Sequence, residues 1–264
     1  MRKAFFRIFI IASVLFTLAA TATAQDFQKT YQLSPDGQIS IRNVSGNVIV
    51  TGYDGNAITV NGIKEGRDRD LVQVDDLSNA NRLELRTRYP KNCRCDASIR
   101  FEVQVPRSIR YQFDELSSAS GNIEVSDVTG DAHINTASGD VLVKDVSGHV
   151  DASTASGQMR VRGAAGTVSA RSASGDVDVE MTRLDGNQRM EFSSASGDVN
   201  VRLPTNIDAD VELSSATGEV RTDFPLAVES ERHGPGQRAR GRLGNGSRRL
   251  QISSASGNVS LTSL

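Results

Sequence analysis

The most regularly spaced residues in this chain are small and polar. Ser/Thr-Ala-Ser/Thr triplets begin at Ser118, Thr136, Thr154, Ser172, Ser194, Ser215 and Ser254. Each is followed by Gly and then by Asn122, Asp140, Gln158, Asp176, Asp198, Glu219 or Asn258. Carboxylates at a fixed interval could act as acid and base, or hold Ca²⁺. Asn and Gln interrupt that file, however, and the same residue types serve as corner residues by bonding backbone amides. The calcium-binding nonapeptide repeat needs GGxGxD, whereas here there is one Gly per nine residues. Files of hydroxyls on a flat face could bind a glycan or ice, or simply solvate a strand.

Other reactive residues are sparse. His133, His149 and His233 share neither repeat position nor spacing. There is no HExxH, nucleophile elbow or phosphate-binding loop. Cys93 and Cys95 lie two apart, at the limit of bridging distance in an extended strand, but Pro90 and Asn92 favour a turn that would permit a local disulfide. A metal would need more ligands than that segment offers. Arg232, Arg238, Arg240, Arg242, Arg248 and Arg249 crowd a Gly-rich run at 231–249. The simplest reading is an extruded, solvated loop; the functional reading is a contact for an anionic polymer, phospholipid or glycan. No catalytic residue, cofactor or metal site is predicted.

What must position these files is a repeat. Gly121, Gly139, Gly157 and Gly175 are 18 apart, with Gly130, Gly148 and Gly166 between them, so the beat is nine. Two and four residues after each Gly the chain is apolar (Ile123 and Val125, Val141 and Val143, Met159 and Val161, Val177 and Val179), and the residue between is mostly polar. Alternation with period two marks strands with one buried face. Two-residue Asn-Gly or Asp-Gly hairpin turns are not what separates them. The spacing therefore predicts an all-β, parallel β-solenoid (β-helix-like) with 18-residue coils of two short strands. Val125, Val143, Val161 and Val179 should pile up, as should Ile123, Val141, Met159 and Val177, with Ala132, Ala152 and Ala170 lining the opposite wall. Because Ala137 shares parity with Val141, both flanking files should point outward, as two parallel files on one side of the solenoid: Ser118, Thr136, Thr154, Ser172 and Ser194 in the first, Ser120, Ser138, Ser156, Ser174 and Ser196 in the second. They form the candidate binding ladder.

Composition agrees with a stacked rather than an aromatic core. The 264 residues contain no Trp and 5% aromatics. With 30 basic against 32 acidic residues, the chain lacks the bulk positive charge of a nucleic-acid binder. Residues 1–24 read as a secretory signal: Arg2, Lys3 and Arg7, an apolar run from Ile8 to Leu18, then Ala22-Thr23-Ala24 before a mature start at Gln25. That run is shorter than the ~20 residues a spanning helix needs, which disfavours an uncleaved anchor, and no other segment could span as a helix, so no transmembrane helix is expected after cleavage. Export implies an oxidising compartment, either the periplasm or the cell surface. Residues 25–116 read as a β-rich N-terminal part, an irregular cap with the first coils of the solenoid, and 117–264 as its regular repeats. After Gly175 the beat loosens, and the excess residues are assigned to loops.

The SASGDV repeats, the VQVPRS step before them and the closing LQISSASGNVSL together resemble the bacterial "putative adhesin" β-strand-repeat family of unknown function. The resemblance covers roughly Ile39 to Leu261. It implies an exported β-solenoid linked to adhesion or envelope stress, and it supplies no catalytic residues. The expected function is a non-catalytic envelope or surface protein presenting a rigid repeat surface to a glycan, envelope polymer or protein. The alternative is a carbohydrate-active enzyme or ligand-binding receptor using the Asp ladder.

Overall fold

The computed structural model describes residues 27–264, apart from Asn187 and residues 231–233. The signal segment and its cleavage point, Arg232 and His233 lie outside the described residues. Those described form two long sheets of 11 and 12 strands, mostly parallel, with one short 3₁₀ turn at Arg69–Leu71.

The unit is a flattened coil with one strand in each sheet and a glycine at the corner between them; each coil is named here by that glycine. The Gly139 coil comprises Thr129–Ser138 and Val141–Lys144, and the Gly157 coil comprises Val150–Ser156 and Met159–Arg162. They stack in parallel, with Val141 opposite Met159 and Val143 opposite Val161. Val125 sits on the other side of Val143, and Val179 beyond Val161. Both predicted ladders therefore exist, and their members are fully or almost fully buried. Each such side chain contributes roughly 1.5–3 kcal/mol. On the opposite wall Ile134, Ala152, Ala170 and Phe192 form one file, in which the two adjacent alanines lie between a large side chain at either end.

The first coil, Gln38–Ser45 with Val48–Tyr53 around Gly46, stacks on the Gly121 coil (Arg110–Ser120 and Ile123–Ser126). On its other side lie Arg82–Arg88 and Ser98–Pro106, also parallel to it. Beyond these the direction reverses. Ile58–Glu65 and then Phe27–Tyr31 close one sheet antiparallel, and Gln73–Asp76 closes the other. The N-terminal third is thus continuous with the solenoid and caps it.

The distal end departs from sequence order. The Gly197 coil (Met190–Ser196, Val199–Leu203) is followed in space by the Gly257 coil (Arg249–Ser256, Val259–Ser263). Only then comes the Gly218 coil (Ala209–Ser215, Val220–Thr222). The last coil of the chain is wedged between two earlier ones. The expected extruded loop at 231–249 is not what the described residues 234–249 form: a strand there makes, with Ala227–Ser230, an antiparallel hairpin at the end of the second sheet. Gln237–Leu243 is a strand, antiparallel to both Ala209–Ser215 and Ala227–Ser230, and it caps the second sheet. The reason is legible in Arg238-Ala239-Arg240-Gly241-Arg242-Leu243: arginines alternate with small or apolar residues, and Ala239 and Leu243 are buried.

Candidate functional site

Three files meet at the glycine corner. The first is the glycines themselves. A Cβ on Gly121 would overlap the carbonyl oxygen of Gly46, and one on Gly139 that of Gly121. The same contact recurs from Gly157 to Gly139, Gly175 to Gly157, Gly197 to Gly175, Gly257 to Gly197 and Gly218 to Gly257. Close approach of one backbone to the next, coil after coil, excludes every other residue.

The second file comprises the first hydroxyl of each triplet. Ser118, Thr136, Thr154, Ser172, Ser194, Ser215 and Ser254 are buried, not outward as expected. Each Oγ donates to the glycine carbonyl of the adjoining coil. Ser118 bonds to Gly46 O at 3.1 Å, Thr136 to Gly121 O at 3.1 Å and Thr154 to Gly139 O at 3.1 Å. Ser172 bonds to Gly157 O at 3.3 Å, Ser194 to Gly175 O at 2.8 Å and Ser254 to Gly197 O at 2.8 Å. The parity count failed because it treated the backbone as extended through the corner. Thr136 and Val141 are five apart, yet both point inward, since the bend at Ser138-Gly139-Asp140 reverses the alternation. The candidate ladder therefore reduces to its second file, Ser120, Ser138, Ser156, Ser174 and Ser196, all exposed.

The third file is the residue after each glycine. Asn47 Oδ1 accepts the amide of Asn122, Asn122 Oδ1 that of Asp140, and Asp140 Oδ1 that of Gln158, at 2.8–2.9 Å. Asp176, Asp198 and Asn258 continue the series to the amides of Asp198, Asn258 and Glu219. The acidic side chains are thus acceptors for the next coil's backbone, a role Asn fills equally well. At the other corner Asp131 does the same for His149, at 2.8 Å, and takes a bond from Arg110 at 2.7 Å. Burial alone would raise the Asp131 pKa, but these two donors together hold it below the ordinary carboxylate value.

The exposed surface beside the corner is an open groove of about 1240 Å³ along the outer face of the second sheet. Its floor carries Ala137, Ala155, Ala173, Ala195, Ala216 and Ala255, all exposed, because alanine takes the outward position between the two hydroxyls. Strand parity in the sequence predicts these alanines inside. Beside them runs a polar file of Asn135, Ser153, Arg171 and Ser193, in parallel register, with steps of roughly 4.8 Å. Gly234, Gly236 and Arg238 of the capping hairpin form one wall.

The other predicted residues are dispersed. Arg240 Nε donates to Glu212 at 3.1 Å and Arg242 Nε to Asp210 at 2.8 Å, from the hairpin to the neighbouring strand Ala209–Ser215. Arg248 Nη1 donates to Leu184 O at 3.2 Å, and Arg249 is exposed at the start of its strand. Cys93 and Cys95 are brought together, their Cα atoms 5.1 Å apart and so within bridging range, in a turn where Cys93 N donates to Pro90 O and Asn92 has φ 58°. His133 and His149 come together, with ring centroids 6.2 Å apart. Among the described residues no group of three or more His, Cys, Asp or Glu could hold a metal, and no helix is long and apolar enough to cross a membrane.

Fold and corner together define the class: an all-β, mostly parallel solenoid whose inner hydroxyls and post-glycine side chains are committed to stacking. The chain belongs to the Toastrack DUF4097 family, a family of unknown function, whose model matches residues 34–262. It is also similar to two solved structures. One is "a putative cell adhesion protein" from Clostridium sporogenes, 12% identical, covering 90% of this chain and 99% of that one, with a TM-score of 0.37. The other is "a putative adhesin" from Bacteroides fragilis, 15% identical, covering 90% and 96%, with a TM-score of 0.37. No curated protein matches the chain.

Proposed function

We propose that this protein is an exported, non-catalytic envelope or cell-surface protein that presents the outer face of its second sheet, adhesin-like, to a glycan, envelope polymer or protein. The observation that supports this is the exposed Ala-Ser double file, repeated coil by coil at a fixed spacing on a stiff frame. The files with chemical potential, the inner hydroxyls and the Asp ladder, are already engaged with neighbouring backbone. The enzyme or receptor reading built on that ladder therefore has no separate observation in its favour. Export rests on the signal read in the sequence of residues 1–24, and a Cys93–Cys95 disulfide would form in the oxidising compartment that export provides.

Binding of the purified chain to isolated envelopes and to a glycan array tests the proposal, alongside an Ala155→Arg variant that places bulk and charge on the groove floor. The expected result is saturable binding lost in the variant with an unchanged melting temperature. Equal binding by both would remove the groove face from the proposal. Fractionation with N-terminal sequencing should find Gln25 as the first residue outside the cytoplasm.

A further inference from the structure

Two short stretches that the proposed function leaves idle meet across a pair of neighbouring strands. Asp131-Ala132-His133 lies in Thr129–Ser138, and His149-Val150-Asp151 runs into the next strand, Val150–Ser156. Ala132 and Val150 are register partners and both are buried, so the residues on either side of them face outward. His133 is exposed, while Asp131, His149 and Asp151 are part-exposed. The order of acid and imidazole is reversed between the two stretches, so each Asp is set beside a His. Asp131 accepts the His149 amide, and His133 is the register partner of Asp151. The two imidazoles fall on the diagonal, with ring centroids 6.2 Å apart.

Arginines take up the carboxylates. Arg110 Nη2 donates to Asp131 Oδ2 at 2.7 Å, and Asp131 Oδ1 is already on the His149 amide. Arg171 Nη1 donates to Asp151 Oδ1 at 3.0 Å. Asp151 Oδ2 stands 4.0 Å from His133 Nδ1, beyond hydrogen-bond range. The four charges cancel in pairs and leave two imidazoles in a locally neutral setting. Nδ1 of His149 is shielded from solvent and has no hydrogen-bond partner. A buried polar atom left unpaired calls for an explanation, and a bound ion is one.

A metal held by one nitrogen of each ring at ~2.0–2.1 Å sets the ring centroids roughly 5–6.5 Å apart, and the observed separation falls in that window. The parallel ladder fixes both backbones, so binding has to order only the two side chains. Imidazole suits Zn²⁺, Cu²⁺ and Ni²⁺, whereas Mg²⁺ and Ca²⁺ take oxygen ligands. We propose that His133 and His149 form a two-histidine site for a borderline divalent transition-metal ion (Zn²⁺, Cu²⁺ or Ni²⁺) on the outer face of the second sheet, with water completing the coordination.

The purified, untagged chain would be titrated with Zn²⁺ by calorimetry near neutral pH, and its Cu²⁺ complex at one equivalent recorded by electron paramagnetic resonance. A single Zn²⁺ per chain is expected, not displaced by a roughly hundredfold excess of Ca²⁺. The Cu²⁺ spectrum should carry coupling to two imidazole nitrogens, and it is read on the parent chain, independently of how any variant folds. His133→Gln and His149→Gln should each weaken Zn²⁺ binding at least roughly tenfold with the metal-free melting temperature unchanged, because each removes one of two ligands. His233→Gln should bind as the parent does. Acidification should release the metal, since imidazole must be neutral to coordinate. No Zn²⁺ binding by the parent chain, a Cu²⁺ spectrum with fewer than two nitrogens, equal affinity in the parent and either variant, or binding that depends on His233 would overturn the proposal and leave the two rings as an aromatic contact only.

Discussion

At Gly157 the absent side chain is a structural requirement, because a Cβ there would overlap the carbonyl of Gly139. Gly157→Ala should destabilise the protein by ~2–4 kcal/mol in denaturant unfolding, whereas Gly234→Ala, with open space around it, should stay within about 0.5 kcal/mol. Thr154 supplies the partner that the Gly139 carbonyl takes at this corner. Thr154→Val keeps the shape and removes the donor, so it should cost about 1–3 kcal/mol, and Thr154→Ser should recover much of that. A charged counterpart sits in the N-terminal cap. Burial would raise the Asp76 pKa, but bonds from Lys29, Ser78 and Tyr31 outweigh it and hold the carboxyl at about 2. An unfolded Asp titrates near about 3.9, so this contribution to stability is present above that pH and is lost as pH falls towards 2. Asp76→Asn should flatten that part of the stability–pH curve, read as melting temperature between pH 5 and 2. The glycines and the residues after them were visible in the sequence by type and spacing. The inward turn of Thr154 was not, because alternation predicts direction only while the backbone stays extended.

The strand elements were the most legible part of the chain. Val125, Val143, Val161 and Val179 combine period two within a strand with period 18 between strands, and only parallel stacking satisfies both. Val143 is fully buried between its two neighbours, so Val143→Asp places a charge where no partner waits. We expect a loss of about 4 kcal/mol or more, with adjacent coils opening together in hydrogen exchange rather than one at a time. The capping hairpin was missed although its signal was present. The arginines of 238–242 drew attention as charge, while the small residues between them carried the strand pattern. Arg240 and Arg242 lie opposite Glu212 and Asp210 of Ala209–Ser215, and no sequence spacing shows that the strand containing those acids is the hairpin's neighbour.

Over the whole molecule, repetition explains both what could be read and what could not. Glycines 18 apart specify that coils stack, and the order from Gly121 to Gly175 follows directly. After Gly197 the intervals lengthen to 21 and 39 residues, which reads as inserted loop. The longer one contains a hairpin and a crossing that returns the chain to a slot between earlier coils. Coils with the same corner chemistry are interchangeable as neighbours, so sequence alone cannot rank them. Both intercalated coils, Gly46 near one end and Gly257 near the other, are flanked on each side by other strands of the same sheets.

The corner files also bear on how such a molecule could lengthen. Every coil from Gly121 to Gly175 offers its neighbours the same glycine carbonyl and the same inward valines, so a gene copying 54 nucleotides there adds one storey without redesigning either roof. A chain with residues 140–157 duplicated in tandem should fold, melt no lower than the parent, and measure ~4.8 Å longer by small-angle scattering. Copying the same length from the distal end would instead cut across the hairpin or the crossing. The middle of the molecule can therefore serve as a ruler for reach, while its two ends stay fixed in design.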